Sequence, residues 1–492
     1  MDFWPVAESY ISETLKYERQ LKSYERFVYE YLPNIIDEIS VTEIEVGGEK
    51  IEIVVDEYDP DENFIKPIFY DIDGAPKPLL PVEAVLKKRN YYGSLKLRFK
   101  MYRNGKREDE QEISINSIPV MVKSVKCWLY GMSKDEILQA GSEPLDPGGY
   151  FIVNGHKRVL VAQDETAYNQ ISILKGEKPT ESAIAHIPSK GRHLIVKLRI
   201  VRNNLGLWGV MVPLLPPNFP LVALLYAYGM TNEDILNGLS NKYAKNDALL
   251  NIEQCPYKTK KEALLAIGGY GLMGAAEDIK LARAEQIIDG HILPHIGNSK
   301  EDRRAKAEFL LMMAEMTTEA AHGLRPFVDK DHIANKRIEM AGELLDHLIR
   351  TAFKNLLNDV KHQAIKSMSR RKMIKLKTIF DVSRFYDTVR IAMALGMWSS
   401  GKTGVSQLVH VRNLFDVRND LNKVSLGLKP ERANIEAREV HGTQLGRICP
   451  MQTPEQKKCG LIKYLALGAY ISSESDSKKV EKVLRKYGVK KL

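Results

Sequence analysis

Apolar and polar positions alternate with period two through VTEIEVGGEKIEIVV, residues 41–55, where Ile44 and Val46, then Ile51, Ile53 and Val55, flank Gly47-Gly48. That layout predicts a β-hairpin. Ahead of it, residues 7–38 read as a helix and its exit, with Tyr10, Leu15 and Leu21 among the apolar positions. More short strands are expected through residues 83–124, ending at IPVMVKS. Met132 to Ala140 reads as a short helix with Ser133 at the N-cap and Glu136 three residues on, a capping box. Tyr150–Val153, the turn Asn154-Gly155 and Arg158–Val161 make a second hairpin. Beyond residue 164 the texture changes. HLIVKLRIVRNNLGLWGVMV predicts two or three strands, LPPNFPLVALLYAYGM a proline-started helix, HILPHIG a loop, and KAEFLLMMAEMTTEAAHG a helix closed by Gly323. A charged run, Asp329 to Arg337, precedes a long amphipathic helix lined by Ile338, Ala341, Leu345, Leu348, Ala352, Phe353 and Leu356. Phe385, Val389, Ala392 and Met393 recur at helical spacing just before Gly396. The mixture predicts an α+β multidomain chain.

With 492 residues, 44% of them hydrophobic and 27% charged, the chain is long enough for about two to four domains. No apolar run reaches the ~18–20 residues of a membrane span, and the N-terminus lacks a secretory layout. Four cysteines, Cys127, Cys255, Cys449 and Cys459, are too few and too scattered for a disulfide framework. Cys449 and Cys459 lack a CxxC pair, so buried free thiols are expected rather than a zinc site, and the cytoplasm is the expected compartment. His291, His295, His322 and His332 show no i,i+4 pair with an acid between, the helical zinc arrangement, and read as loop histidines. The net charge of +9 is unevenly spread: residues 37–62 and 108–112 are acidic, and 354–377 and 478–491 are basic. A basic block of that kind reads first as a solvated helix face.

Two stretches carry candidate chemistry. Gly396-x4-Gly401-Lys402-Thr403 is a formally complete phosphate-loop pattern. A working phosphate loop needs a buried strand ending at the first glycine and a helix starting near the Lys-Thr pair, so that backbone N–H groups converge on one anion. The helical spacing upstream argues against it, whereas TGVSQLVHVRNLF downstream is compatible with a helix. The second stretch, IEAREVHGTQLGRICPMQTPEQKKCGLIKYLALGAYIS, holds no catalytic constellation.

That second stretch resembles the fork region of the second-largest subunit of multisubunit DNA-dependent RNA polymerases of the archaeal and eukaryotic kind. Three further runs agree in the same order: IPVMVKS with DPGGYFIVNGHKRVLVAQ, then VDKDHIANKRIEMAGELL, then GKTGVSQ, which makes the phosphate-loop pattern the start of the fork. The matches extend from about residue 110 to 472. The resemblance implies a division into residues 1–163 (protrusion, first part), 164–326 (inserted lobe), 327–390 (protrusion, second part), 391–472 (fork) and 473–492 (basic tail).

The resemblance also implies roles. Arg158 and Gln163 on the second hairpin would lie near the nucleic-acid path, and Lys336 and Arg337 would contact a nucleic-acid backbone. In the fork, Lys402, Gln407, Lys423 and Arg447 would meet the phosphates of template or transcript, with Arg438 and Glu455 in support. Glu455 would orient basic groups near the entering nucleotide, because a carboxylate facing a triphosphate directly is repelled. Several positions depart from the family pattern, namely His410, Asn422-Lys423, Gln444, Leu445, Gln452 and Gln456, and they reduce charge near the catalytic centre.

Taken together the chain is similar to the amino-terminal half of that subunit, which some archaea encode as two polypeptides (the split B subunit, B double-prime). The implied partners are template DNA and nascent RNA, a separate carboxyl half, the largest and smaller polymerase subunits, and general transcription factors, with no membrane. Mg2+ would belong to the assembled enzyme and sit on the largest subunit, whose Asn-Ala-Asp-Phe-Asp-Gly-Asp motif is absent here. The isolated chain is expected to be inactive. Two other classes compete: an NTPase using Gly396–Thr403, and a non-catalytic DNA-binding scaffold.

Overall fold

Leu95, Leu97, Phe99 and Met101 alternate inward along the strand Tyr92–Arg103, and the chain turns at Asn104-Gly105, both at positive φ (47° and 80°), into the strand Lys106–Pro119. Primed turns of this kind match the right-handed strand twist. One long hairpin therefore replaces the several short strands expected between 83 and 124, together with the helix Pro81–Leu86. The computed structural model describes residue 5 and residues 18–46, 49–71, 73–191, 194–272, 274–369, 374–398, 402–431, 433–466, 468–469, 471–472 and 477–488.

The chain forms two compact units, one built from the residues up to Glu165 and from Ile338 onward, the other from Thr166–Arg337. In the first, the long hairpin joins Val41–Val46 and Glu49–Val55 in a five-stranded sheet. The pairing Val41↔Val54 through Val46↔Glu49 is the hairpin read from the alternation, although Gly47-Gly48 itself lies outside the described residues. The helix expected over residues 7–38 is described from Glu18 as three pieces: Glu18–Arg26, a π-helical turn Phe27–Tyr31, and Leu32–Glu38. Pro33 has no N–H to continue the i→i−4 ladder, so the break falls there. Tyr10 and Leu15 lie outside the described residues, whereas Leu21 packs on the core. The capping box at Ser133 and Glu136 forms as read, ahead of the helix Lys134–Gln139.

The long helix, Ala341–Ser369, buries Leu345, Leu348, Ala352, Phe353 and Leu356 in this core. Ile338 is not on that face. It belongs to the strand Lys336–Glu339, because the Glu343 carboxylate accepts a hydrogen bond from the Met340 backbone N–H (3.3 Å) and fixes the helix start one residue later. Phe353 meets Phe385 edge to face at 4.9 Å, seating the helix Ser383–Leu395 whose buried residues are Phe385, Val389, Ala392 and Met393. The C-terminal tail contains an exposed helix, Ser477–Lys486, and residues 489–492 lie outside the described residues.

The second unit holds a five-stranded antiparallel sheet in sequence order: Ser172–Lys175, Glu181–Lys190, Ile195–Asn203, Trp208–Met211 and Phe219–Pro220. The helix Arg303–Ala321 packs on its middle strands. All eight residues of Leu221–Tyr228 are buried, so this helix reads as uniformly apolar rather than amphipathic. Inside, Arg202 donates to both carboxylate oxygens of Asp247 (2.7 and 3.0 Å), and Thr318 donates to the same carboxylate (2.8 Å). The backbone N–H of Val328 bonds the Ile173 carbonyl (2.7 Å) and that of Ala167 bonds the Asn335 carbonyl (2.9 Å), which keeps residues 328–337 with this unit.

Candidate nucleic-acid interface

The loop after Gly396 does not have phosphate-loop geometry. What precedes Gly396 is the helix Ser383–Leu395, and Gly396 is its left-handed C-cap (φ 68°). A Cβ there would stand 2.6 Å from the Ser406 carbonyl oxygen, so this close return requires glycine. The chain folds straight back, with the Trp398 N–H donating to the Lys402 carbonyl (3.0 Å) and the Gly404 N–H to the Gly396 carbonyl (3.0 Å). Downstream, the expected helix is instead the strand Ser406–Leu408 and a separate helix, Leu414–Leu421. Gly401 lies outside the described residues.

Lys402 has a different task. Its Nζ lies 2.5 Å from Glu165 and 3.1 Å from Glu339, and Glu339 is fully buried. Burial opposes the charge on the ammonium, but the two carboxylates outweigh it and hold the Lys402 pKa above its ordinary value. His347 Nε2 approaches Glu339 from the long helix at 3.6 Å. One lysine thus ties this loop to Glu165 in the strand Ala162–Thr166 and to Glu339 at the end of the strand Lys336–Glu339.

The strand Ser406–Leu408 pairs antiparallel with the hairpin strand His156–Leu160, and Arg158 Nη1 reaches Ser406 Oγ at 3.5 Å. The next turn centres on Asp420, which is buried. Its carboxylate accepts the His410 backbone N–H (2.7 Å), pairs with His410 Nδ1 (3.0 Å) and takes Lys423 Nζ at 2.5 Å. Burial pushes the Asp420 pKa up, and the His410 and Lys423 bonds reverse that and bring it below the usual carboxylate value. Lys423–Ser425 then pairs in parallel with Ala162–Gln163 and antiparallel with Ile462–Tyr464.

Between these strands the loop is stapled by Arg438, which donates to the carbonyls of Lys457 (2.8 Å), Cys459 (2.8 Å) and Pro430 (2.9 Å). Thr453 Oγ1 accepts the Gly460 N–H (2.9 Å) and donates to the Ile462 carbonyl (2.9 Å). Gly460 is also at positive φ (72°), and a Cβ on it would lie 2.2 Å from the Arg438 carbonyl oxygen. This base leaves Arg447 and Glu455 exposed, with Arg447 anchored by one bond from Nη1 to the Thr443 carbonyl (3.1 Å). Cys459 is exposed and Cys449 half-buried, unlike the buried thiols expected for that pair, because this loop has no thick core of its own.

The candidate residues therefore divide. Arg447 and Glu455 face solvent, and Arg158, Gln407 and Arg438 are half-buried, Gln407 donating to the Gly404 carbonyl (2.9 Å). Gln163 is buried and donates to the Val161 carbonyl (2.7 Å). Lys402 and Lys423 are neutralised by carboxylates, Lys336 stands 3.8 Å from Asp331, and Arg337 lies 4.6 Å above the Tyr168 ring. Three carboxylates that organise the site, Glu165, Glu339 and Asp420, escaped the reading of the sequence. Asp420 had a signal: it shares helical spacing with the buried Val417 and Leu421, and an acid on an apolar face needs a partner.

Among the described residues no three His, Cys, Asp or Glu side chains converge as metal ligands. No described helix is long and apolar enough to cross a membrane.

The loop is stapled to a hairpin and presents polar groups outward from a base held by its own backbone bonds. A family model described as RNA polymerase beta subunit matches residues 16–385, and one described as RNA polymerase Rpb2, domain 3, matches residues 407–471. The chain belongs to this family and is a subunit of a multisubunit DNA-directed RNA polymerase, from the amino-terminal part of an archaeal-type second-largest subunit. It is similar to DNA-directed RNA polymerase subunit Rpo2N of Methanocaldococcus jannaschii, 34% identical with 98% of each chain covered. Rpo2N of Methanothermobacter thermautotrophicus (strain Delta H) is 32% identical over 98% of this chain and 97% of the relative. Subunit Rpo2 of Saccharolobus shibatae is 35% identical over 99% of this chain and 43% of the longer relative. The NTPase alternative has no support from the loop geometry or from these relatives.

Proposed function

We propose that this chain forms one side of the polymerase's DNA cleft and places its fork beside the catalytic centre, where it helps to separate the strands ahead of nucleotide addition. In this reading residues 1–163 and 327–390 are the protrusion, 164–326 the lobe, 391–472 the fork and 473–492 a basic tail. The observation that carries it is the built asymmetry of the fork: Arg438 and Thr453 bind the loop's own backbone, while Arg447 and Glu455 point outward from that rigid base. Arg447, Arg158 and Gln407 are the groups free to meet template or transcript phosphates. Lys402, Lys423 and Gln163 act from within, holding the loop that presents them, and Lys336 and Arg337 contribute at the second unit's end. Mg2+ is held by the largest subunit, and a separate carboxyl-half chain, the smaller subunits and general transcription factors complete the assembly, in the cytoplasm.

The test is assembly of this chain with its polymerase partners, followed by template-dependent primer extension. Activity in the assembly and none from the isolated chain supports the reading. Nucleotide hydrolysis by the isolated chain that vanishes in Lys402→Ala overturns it. Salt-sensitive duplex binding by the chain with no recoverable polymerase partner favours the scaffold instead.

A further inference from the structure

Residues 354–377 carry eight Lys and Arg against one acid, Asp359. Asp359 is already engaged by Arg384 (3.0 Å). Lys354, Lys361, Lys375 and Lys377 are exposed, and none meets a carboxylate among the described residues. Several other lysines of the same unit are matched: Lys50 with Glu43 and Glu52, Lys77 with Asp71, Lys100 with Asp56, Lys126 with Asp61, Lys157 with Asp146.

The stripe is also rigidly mounted. Phe353, Leu356, Val360 and Ala364 bury the opposite face of the long helix, so folding does not require the lysines. Lys354 and Lys361 stand two turns apart on one side, about 10 Å along the axis. The short helix Leu376–Ile379 that follows is braced by Asp109, whose carboxylate accepts the Leu376 N–H (2.8 Å), and by Phe380 against Phe99 at 4.5 Å. Lys375 and Lys377 are therefore held on fixed backbone.

We infer that this stripe is a second phosphate-binding surface of the subunit, separate from the fork, which holds a nucleic-acid backbone without reading its sequence. Unpaired ammonium groups on a rigid support release condensed counterions from a polyanion, and that gain needs no base contact. The inference rests on the polymerase reading, which primer extension by the wild-type assembly tests by itself.

The experiment compares the assembled enzyme carrying Lys354→Gln, Lys361→Gln, Lys375→Gln and Lys377→Gln together with an assembly carrying arginine at the same four positions. The probes are a duplex DNA of arbitrary sequence and a single-stranded RNA, each titrated against salt. The glutamine variant is expected to bind at least one probe about ten-fold more weakly near 0.1 M salt, with a slope of log K against log salt shallower by about two to four. The arginine variant should keep both values. Loss confined to the duplex names DNA as the ligand, and loss confined to the RNA names the transcript. Unchanged affinity and slope overturn the inference, whether every subunit is retained (a solvated face) or one is lost (an acidic protein partner).

Discussion

The inserted unit, Thr166–Arg337, and the segment matched by the Rpb2 domain 3 model, residues 407–471, both bury charge, yet they spend their apolar residues differently. In the former the helix Leu221–Tyr228 is covered on every side, and the Arg202–Asp247 pair lies within a continuous core. In the latter Phe415, Ile435, Leu445 and Met451 are exposed (71%, 77%, 60% and 88%), and the loop is held by polar bonds to its own backbone. The inserted unit also leaves Leu205 and Leu324 exposed, but it rests on a thick continuous core, whereas the other segment has only small buried clusters and defines its shape with directional bonds. The difference makes ion-pair loss global in one region and local in the other.

The largest expected effect follows from Asp247→Ala, which strands Arg202 and removes an acceptor from Thr318. Breaking a buried pair on one side costs about 3–5 kcal/mol. Amide exchange should accelerate throughout residues 166–337 while the fork keeps its protection. Uniform acceleration of both regions would show that they unfold as one. In the fork's base, Lys402→Met leaves the buried Glu339 without its ammonium, at a cost of about 2 kcal/mol or more. Denaturant midpoints should fall for the first unit, and Lys402→Met with Glu339→Gln should recover much of the loss. An unchanged midpoint in Lys402→Met would sink the clamp.

What the sequence revealed and what it hid divide along the same line. The hairpins, the capping box at Ser133 and the helix ending at Gly396 were legible because their signals are local: period two, a polar cap, apolar residues three and four apart. The fork was legible by resemblance, since its irregular loops carry no period. The partners of Lys402 were not legible. Glu165 and Glu339 lie far from it in sequence, and each sits on a strand that only the fold brings to the loop. For the same reason a phosphate-loop pattern could match in letters while its glycine serves as a helix cap.

Smaller and more local is Arg438→Ala, which removes three carbonyl bonds at a cost of about 1–3 kcal/mol. Limited proteolysis should cut faster between residues 430 and 460, with the global unfolding midpoint unmoved. Arg438→Lys should not rescue, because an ammonium cannot reproduce the planar spread of donors. If lysine restores full resistance, the three-way staple is not what orders the loop.

pH separates the regions without mutation. The depressed folded pKa of Asp420 adds stability that is present above the ordinary carboxylate value, near 4, and lost as pH falls through the folded value. In the inserted unit Lys306 is fully buried, and burial pushes its pKa down to about 8. A lysine with a lowered folded pKa favours the folded state more as it discharges, so this unit should gain stability from about pH 8 to 10.5 and gain nothing from it at lower pH. Exchange protection followed across pH should therefore fall first in the fork under acid and rise in residues 166–337 under mild alkali. Flattening of the alkaline rise in Lys306→Met would assign it.

The smallest structural effect belongs to the residue with the most functional weight in this reading. Arg447 is exposed and makes a single bond to the Thr443 carbonyl, so Arg447→Ala should change stability by no more than about 0.5 kcal/mol. If the guanidinium meets a phosphate of the template or transcript, the assembled enzyme should lose affinity for the nucleic-acid scaffold and its salt slope should fall by about one. A stable variant with wild-type salt dependence would move the contact away from Arg447, toward Arg158 or Gln407 on the paired strands at the fork's base. Residues that shape this loop register in unfolding, and residues that use it register only when nucleic acid is present.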